Sequence, residues 1–258
     1  MLILDRQQRV LDILREAGSA SLEQLSTQLS VSVSTVRRDL DRLADQGLVE
    51  RTHGGAIPLT TPGTAAPSHA APDTAFAARM ADHVDAKRAI GREVAKIVEP
   101  NMTLLMDAGS TVVYAAEQIT VRPIQIATTS LAIAQLFAND DQVEVTVAGG
   151  KLYPRTAAMV GPLTRAALKD LYADLCLMSL AAMDQTAGYN LNLEQTRVEQ
   201  SMMQQADRSV LLMDSGKFGR RSLVKVAPIA DFDQIITDSS VAPHWPTHLG
   251  DRLTVASD

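Results

Sequence analysis

Apolar residues recur at helical spacing near the start of the chain. In residues 6–17 (RQQRVLDILREA) they follow one another at intervals of three and four, which places them on one face of an amphipathic helix. Ser21 stands three residues before Gln24, the spacing of a capping box, and a leucine-rich second helix follows. Ser32 is positioned to cap a third helix, which Gly47 ends. The buried stripe of that helix is predicted to be Val33, Val36, Leu40 and Leu43.

A β-wing is predicted after the third helix. The letters LVER favour a short strand, and THGGA, which follows them, favours a tight turn. Three short helices followed by a wing within about fifty residues is the plan of a winged helix-turn-helix. The pattern therefore predicts a small DNA-binding domain over residues 1–56.

The third helix presents a polar face opposite its buried stripe. With about 100° of rotation per residue, hydroxyl and guanidinium groups fall together on this face, and further polar groups stand in the wing. An arginine on a helix in the major groove binds the O6 and N7 atoms of guanine, and a helix N-terminus favours a phosphate. We therefore expect DNA contacts from Ser32, Ser34, Thr35, Arg37, Arg38, Arg42, Arg51 and His53.

A solvated helix face held by ion pairs is the simpler interpretation of the same residues. Arg38 with Asp41, and Asp39 with Arg42, have the spacing of such pairs. The complete helix, turn and wing pattern favours DNA binding instead. The net charge does not support DNA binding. The chain has a net charge of −6, and residues 1–55 hold seven arginines, no lysine and eight acidic residues. DNA contacts must therefore come from a few well-placed arginines.

The remainder of the chain has a different organisation. Residues 57–75 contain four prolines among Ala, Thr and Ser without an apolar period, which predicts a linker. Short apolar runs then alternate with helical segments, which predicts an α/β fold with a largely parallel sheet. We expect residues 76–258 to form an α/β domain.

Small and hydroxyl residues mark the ends of the predicted strands. In open α/β sheets, ligands bind at the carboxyl ends of strands, and here four ends read DAGST, TTS, AGGK and DSGKFG. Backbone N–H groups and hydroxyls at such turns bind anions, a carboxylate accepts from sugar hydroxyls, and a lysine faces a phosphate. We expect effector contacts from Asp107, Gly109, Ser110, Thr111, Thr129, Ser130, Gly149, Gly150, Lys151 and Lys217.

Several classes of site and location are disfavoured. Cys176 is the one cysteine and lies in an apolar strand pattern, so an intrachain disulfide and a thiolate cluster are excluded and a core position is expected. The histidines lack metal-ligand spacing, and Pro246 between His244 and His248 argues against a helical pair. With no P-loop or dinucleotide fingerprint, no cofactor, metal or catalytic residue is predicted. Without a signal peptide or membrane-length apolar run, a cytoplasmic location is expected.

The residues from RQQRVLDILREAG to LVERTHGGA resemble the winged-helix signature of the DeoR family of bacterial transcriptional regulators. Further along, MDAGSTVVYAAEQI, ATTSLAIAQLF, VAGGKLYPRTAAMVGPL, LLMDSGKFG and IITDSS resemble, in order, motifs of that family's C-terminal sensor domain. The resemblance implies a repressor of carbohydrate-metabolism genes that binds operator double-stranded DNA as a homo-oligomer, a dimer or tetramer. It also implies a sensor domain with the fold of ribose-5-phosphate isomerase, which responds to a sugar phosphate or related metabolite.

The chain departs from the family pattern at a position that concerns the effector. Many members carry a lysine where this chain has Glu199, a change that would weaken phosphate binding. Two alternatives to an effector-controlled regulator remain open. One is a sugar-phosphate isomerase-type enzyme with Asp107 or Glu194 as base and Lys217 holding the phosphate, and the other is a ligand-independent DNA-binding regulator.

Overall fold

A computed structural model describes residues 6, 7, 9–11, 13, 14, 19–29, 31–45, 49–52, 54–58 and 76–257. These residues belong to two compact units, Met1–Ser68 and His69–Asp258. The predicted contact residue His53, the predicted helix end Gly47 and residues 59–75 of the predicted linker lie outside the described residues. No helix within the described ranges is long and apolar enough to cross a membrane.

The described residues of the first unit form three helices and a small antiparallel sheet. Its first helix, α1, is described at residues 6, 7, 9–11, 13 and 14. The later elements are β1 (Ala20–Ser21), α2 (Leu22–Leu29), α3 (Val33–Asp45), β2 (Val49–Thr52) and β3 (Gly55–Pro58). The strand order is β1-β3-β2, so β2 and β3 form the wing. Strand β3 includes Ile57 and Pro58, the first two residues of the predicted linker.

Caps at the predicted positions fix the starts of α2 and α3. The amide of Gln24 donates to Ser21 Oγ (3.2 Å) and the amide of Ser21 donates back to Gln24 Oε1 (2.8 Å), which confirms the capping box. At α3, Ser32 Oγ accepts from the amide of Thr35 (3.2 Å). The helices pack around a single apolar cluster that includes Val10, Leu14, Leu25, Val36, Leu40 and Leu43. The predicted stripe of α3 is buried except at Val33, which is half-buried.

The second unit is built on a seven-stranded parallel sheet of order β15-β14-β12-β9-β4-β5-β6. Its strands are β4 (Thr103–Met106), β5 (Ile124–Thr128), β6 (Val143–Val147), β9 (Ala173–Met178), β12 (Ala206–Leu212), β14 (Gln234–Thr237) and β15 (Leu253–Val255). The helices are α4 (Phe76–Ala81), α5 (Val84–Ala95), α6 (Ser110–Gln118), α7 (Leu131–Phe137), α8 (Pro162–Leu168), α9 (Leu193–Met203) and α10 (His244–Leu249).

Both faces of the sheet are covered, as parallel sheets require. Along β4, Leu105 points into one apolar cluster while Leu104 and Met106 point into the other. Cys176 in β9 is fully buried, so its predicted core position is confirmed. The sheet confirms the predicted α/β class and brings the carboxyl ends of β4, β9 and β12 side by side, because these three strands are neighbours.

Two small sheets lie beside the main one, and the sequence analysis did not predict them. One is the hairpin of β7 (Lys151–Tyr153) and β8 (Ala158–Val160). The other joins β10 (Ala182–Met183), β11 (Ala187–Asn190) and β13 (Val224–Pro228) in antiparallel order β10-β11-β13. Their strands are short, so their apolar pattern is too brief to distinguish from a loop.

The prediction that Pro246 would prevent a helix through His244 and His248 was wrong. Both histidines lie in α10, where Pro246 is the third residue. Proline is tolerated in a first helical turn because amides there have no partner within the helix. The two imidazole rings pack on Trp245, with centroid distances of 5.2 and 5.9 Å. Among the described residues, no group of His, Cys, Asp and Glu has a metal-binding arrangement.

Candidate DNA-binding and effector sites

The exposed face of α3 carries the side chains that the sequence predicted for DNA contact. Ser34, Arg37, Arg38 and Arg42 are exposed, and Thr35 is half-buried. At the start of the helix, Ser32 Oγ lies 2.9 Å from Ser34 Oγ and 2.8 Å from Thr35 Oγ1. Three hydroxyls and three guanidinium groups therefore line one side of α3.

The ion pairs of the simpler interpretation do not form. Asp39 is buried and accepts from Arg6, with its Oδ2 2.5 Å from Nε and its Oδ1 3.2 Å from Nη2. Asp41 pairs with Arg51 of β2 instead of Arg38. Within the described part of the chain, Arg37, Arg38 and Arg42 thus have no carboxylate partner.

Arg51 ties the wing to α3. Its Nη1 donates to the carboxylate of Asp41 and approaches the main-chain oxygen of Arg37 at 3.4 Å. This contact connects β2 to α3. The sequence indicated Arg51 as a phosphate contact but gave no sign of this pairing, because the two residues belong to different elements.

In the second unit, Asp107 follows β4 and is buried against the start of α6. Its Oδ2 accepts from the amides of Gly109 (3.0 Å) and Ser179 (3.4 Å). Burial raises the pKa of this carboxyl, although these amides and Lys217 act in the opposite direction. A Cβ added at Gly109 would lie 2.7 Å from Ser179 Cβ, so the turn requires a glycine at this close approach.

Ser179 links the ends of three strands. Lys217 Nζ donates to Ser179 Oγ (3.1 Å), and this hydroxyl donates to Thr111 Oγ1 (3.4 Å). Lys217 also pairs with Asp214 at 3.2 Å. Burial alone would raise the pKa of Asp214, but Lys217, His83 and Lys87 together outweigh it and the pKa is lowered. Sequence reasoning missed Ser179, although its position just after the apolar run of β9 matches the polar strand ends that were selected.

Glu199 lies on the inner face of α9 and is fully buried. Its Oε1 accepts from Asn190 Nδ2 (2.5 Å) and Gln195 Nε2 (2.9 Å), while its Oε2 has no hydrogen-bond partner. Burial raises the pKa of this carboxyl well above its ordinary value, and the charge of Asp107 raises it further. The substituted family position is therefore electrostatically part of the cluster around Asp107.

The other predicted effector residues are held by contacts of their own. Ser130 Oγ caps α7 by accepting from the amide of Ile133 (3.3 Å), and the main-chain oxygen of Thr129 accepts from Met159 (2.8 Å). Gly150 packs against Thr164 of α8, where a side chain would collide. Ser110 is buried in the first turn of α6, and Gly149 is exposed. Lys151 pairs with Glu194 at the start of α9 (3.2 Å).

A separate cleft of about 390 Å³ opens between α5 and the residues that follow β14. Its lining includes Arg88 and Arg92 of α5 and Asp238 and Ser240 after β14. None of the effector residues predicted from the sequence lines this cleft.

A winged helix-turn-helix unit and a parallel α/β unit with polar strand ends together define a DNA-binding regulator with a sensor domain. Comparison with known families agrees: residues 6–61 match the DeoR-like helix-turn-helix domain and residues 82–239 match the DeoR C terminal sensor domain. The chain belongs to the DeoR family of transcriptional regulators. The predicted family and fold class are thereby confirmed.

Relatives match almost end to end. The HTH-type transcriptional regulator GlpR of Haloferax volcanii is 30% identical over 242 residues, covering 93% of this chain and 92% of that protein. The L-fucose operon activator of Escherichia coli is 30% identical, covering 90% and 94%. The glycerol-3-phosphate regulon repressor of Escherichia coli is 27% identical, covering 91% and 90%.

A solved isomerase structure matches about half of the chain. Ribose 5-phosphate isomerase from Methanocaldococcus jannaschii is 15% identical, with a TM-score of 0.39, and the match covers 53% of this chain and 55% of that chain.

Proposed function

We propose that this regulator binds operator DNA through the exposed face of α3, and that a small metabolite of carbohydrate metabolism controls this binding. The effector site comprises the strand ends around Asp107, Ser179 and Lys217. The proposed DNA binding rests on one observation, the arrangement of charges on α3. Both of its described carboxylates, Asp39 and Asp41, are paired with other arginines, which leaves Arg37, Arg38 and Arg42 on the exposed side.

This arrangement accounts for DNA binding by an acidic protein. DNA affinity depends on local guanidinium groups and on the salt bridges they form with phosphates, and much less on the net charge of −6. An arginine from the first turns of α3 is long enough to reach a guanine edge in the major groove, while the hydroxyls of Ser34 and Thr35 donate to phosphates. Arg51 acts in this scheme mainly by holding the wing beside α3.

The effector half rests on the cluster of polar side chains at three adjacent strand ends. Asp107 and Glu199 supply acceptors, and Lys217 supplies a donor next to Ser179. The names of the relatives point to glycerol 3-phosphate and fucose, so a sugar phosphate or a related metabolite is the class to test. A metabolite controls DNA binding only if its affinity differs between the DNA-competent and incompetent states.

We further propose that the chain acts as a repressor and as a homo-oligomer, a dimer or tetramer. Regulators with this type of recognition helix bind paired half-sites, and a symmetric protein matches that symmetry.

The test is a mobility-shift titration with full-length protein and a duplex from upstream of its own gene. We expect binding of this duplex at concentrations at least tenfold below those needed for an unrelated duplex of equal length, and release by a sugar or sugar phosphate. Equal retention of both duplexes would contradict the DNA half. Specific binding that no such metabolite alters would contradict the effector half and favour a ligand-independent regulator.

The isomerase-type alternative has one observation in its favour. Asp107 combines a raised pKa with a nearby lysine, an arrangement used by general bases that act on phosphorylated sugars. Turnover of ribose 5-phosphate by the wild type, lost in Asp107→Asn, would support it. We expect no turnover above that of the buffer.

A further inference from the structure

The charges of the effector cluster favour one class of metabolite over another. Two lysines, Lys151 and Lys217, were predicted as effector contacts, and both already have carboxylate partners at 3.2 Å. A third lysine near this cluster, Lys87, donates its Nζ hydrogens to the main-chain oxygens of Arg79 and Asp82. None of these ammonium groups is therefore without a partner in the described structure.

The carboxyl group of Glu199, unlike these lysines, is only partly paired. Glu199 is fully buried, and its Oε2 has no donor among the described residues. Buried polar atoms in proteins nearly always have a hydrogen-bond partner, so such an atom marks a place where a hydrogen-bonding group from outside the chain would be favourable. Asn190 and Gln195 hold the other oxygen and fix the orientation of the carboxyl group.

A phosphate monoester fits this environment poorly. It carries about −1.5 to −2 charges near pH 7 and offers mainly acceptor oxygens. At this cluster it would find Lys87, Lys151 and Lys217 already paired, and it would have to compete with Asp214 for Lys217. Burying such an anion without an unpaired cation to neutralise it is costly.

A sugar hydroxyl fits it well, because it both donates and accepts. It can donate to the unpaired oxygen of Glu199 or to Asp107, and accept from Lys217 or an amide. We propose that the effector of this regulator is a neutral, hydroxyl-rich molecule, a free sugar or sugar alcohol, one of whose hydroxyls donates to Oε2 of Glu199. This inference rests on the effector site proposed above and narrows its ligand class.

The experiment compares each neutral compound with its own phosphate ester. Full-length protein on its upstream duplex is titrated with D-ribose and ribose 5-phosphate, D-fructose and fructose 6-phosphate, D-glucitol and glucitol 6-phosphate, and inorganic phosphate. Release from DNA and the shift in melting temperature are both recorded. We expect at least one neutral compound to release the protein, with its phosphate ester at least tenfold weaker.

Two substitutions test the role of Glu199. Glu199→Gln keeps the size of the side chain and replaces one carboxyl oxygen by an NH2 group, which cannot accept a hydrogen bond, so the affinity for the neutral compound is expected to fall about tenfold or more. Glu199→Lys is expected to reverse the preference in favour of the phosphate ester. Glu117→Gln, the same change on the exposed surface of α6, is the control and should leave both affinities unaltered.

The results that would contradict the inference can be distinguished from those that would contradict the proposed effector control. Release by phosphate esters in preference to neutral compounds overturns this inference and leaves the proposed effector control intact. Release by a neutral compound that Glu199→Gln does not weaken overturns the assignment to Glu199. Specific operator binding that no compound in the series alters overturns both the inference and the proposed effector control.

Discussion

The guanidinium of Arg6 donates to the carboxylate of Asp39, with 2.5 Å between Nε and Oδ2. The pair joins α1 to α3, and the hydrogen bond to Asp39 raises the pKa of Arg6. Asp39 belongs to α3 yet is buried, so its negative charge is neutralised on the core side of the helix. The same contact therefore stabilises the DNA-binding unit and keeps an anion away from its arginine face.

Loss of the Asp39 carboxylate should destabilise the first unit. Asp39→Ala leaves Arg6 without its partner at a site where the aspartate is buried, and we expect a loss of about 2 kcal/mol in the free energy of unfolding. Hydrogen exchange of the α3 amides measures this directly. Asp41→Ala breaks a more exposed pair and should cost less than about 1 kcal/mol. Equal effects of the two changes would contradict this interpretation of Asp39.

The turn between β4 and α6 should not tolerate a side chain at Gly109. An added Cβ would meet Ser179 Cβ at 2.7 Å and Asp107 Oδ2 at 3.1 Å, so Gly109→Ala is expected to cost about 1–3 kcal/mol. Gly149→Ala places its methyl group in open space and should change stability by less than about 0.5 kcal/mol. Urea denaturation followed by the fluorescence of Trp245, in the same unit, compares them. A stable Gly109→Ala variant would show that the turn can relax.

Cys176 should be unreactive toward thiol reagents in the folded protein. It is fully buried in β9, and burial raises the pKa of its thiol. We expect labelling by a thiol-reactive dye at pH 8 to be at least a hundredfold slower than in urea-unfolded protein, because a buried thiol is rarely ionised and must be exposed to react. Fast labelling of the folded chain would show that the sheet opens readily or that β9 is less protected than described.

Lys87 should give the second unit a pH-dependent stability. Burial, reinforced by the charge of Lys217, lowers the pKa of Lys87 from 10.5 to about 8. Between these values the unfolded chain holds a proton that the folded chain has lost, so stability rises with pH in this window. From pH 7.5 to 9.5 the wild type should gain about 2 kcal/mol relative to Lys87→Met.

The control for that measurement is Lys96→Met. The Lys96 ammonium is exposed and pairs with Glu93 on the surface of the second unit. This variant should follow the pH dependence of the wild type. A wild type that loses stability relative to Lys87→Met over the same range would show that Lys87 is stabilised in its charged form.

The sequence predicted the face of α3 because helical spacing alone decides which side chains lie opposite Val36 and Leu40. It did not predict the partner of Asp39, because Arg6 is 33 residues away and the pair depends on how α1 packs against α3. Glu199 stood out as a departure from the family pattern. The contact of Glu199 with Asn190 depends on the small sheet that contains β11. The strands of that sheet are too short to be recognised from the sequence.

The effector cluster, too, was predicted only in part from the sequence. Asp107 and Lys217 were predicted because they lie in the segments that follow strands of a parallel sheet, a rule that needs no knowledge of strand order. Ser179 was missed although it directly follows β9. Its importance comes from the placement of β9 between β4 and β12, and that order follows from packing over the whole unit.

The central claim is that the arginine face of α3 binds DNA, and one measurement tests it most directly. Fluorescence anisotropy with a labelled upstream duplex compares the wild type, Arg38→Ala and Arg88→Ala, the last an exposed arginine of α5 in the second unit. The account predicts at least about tenfold weaker binding for Arg38→Ala, equivalent to about 1.4 kcal/mol, and wild-type binding for Arg88→Ala. Undiminished affinity in Arg38→Ala, or an equal loss in both variants, would contradict it.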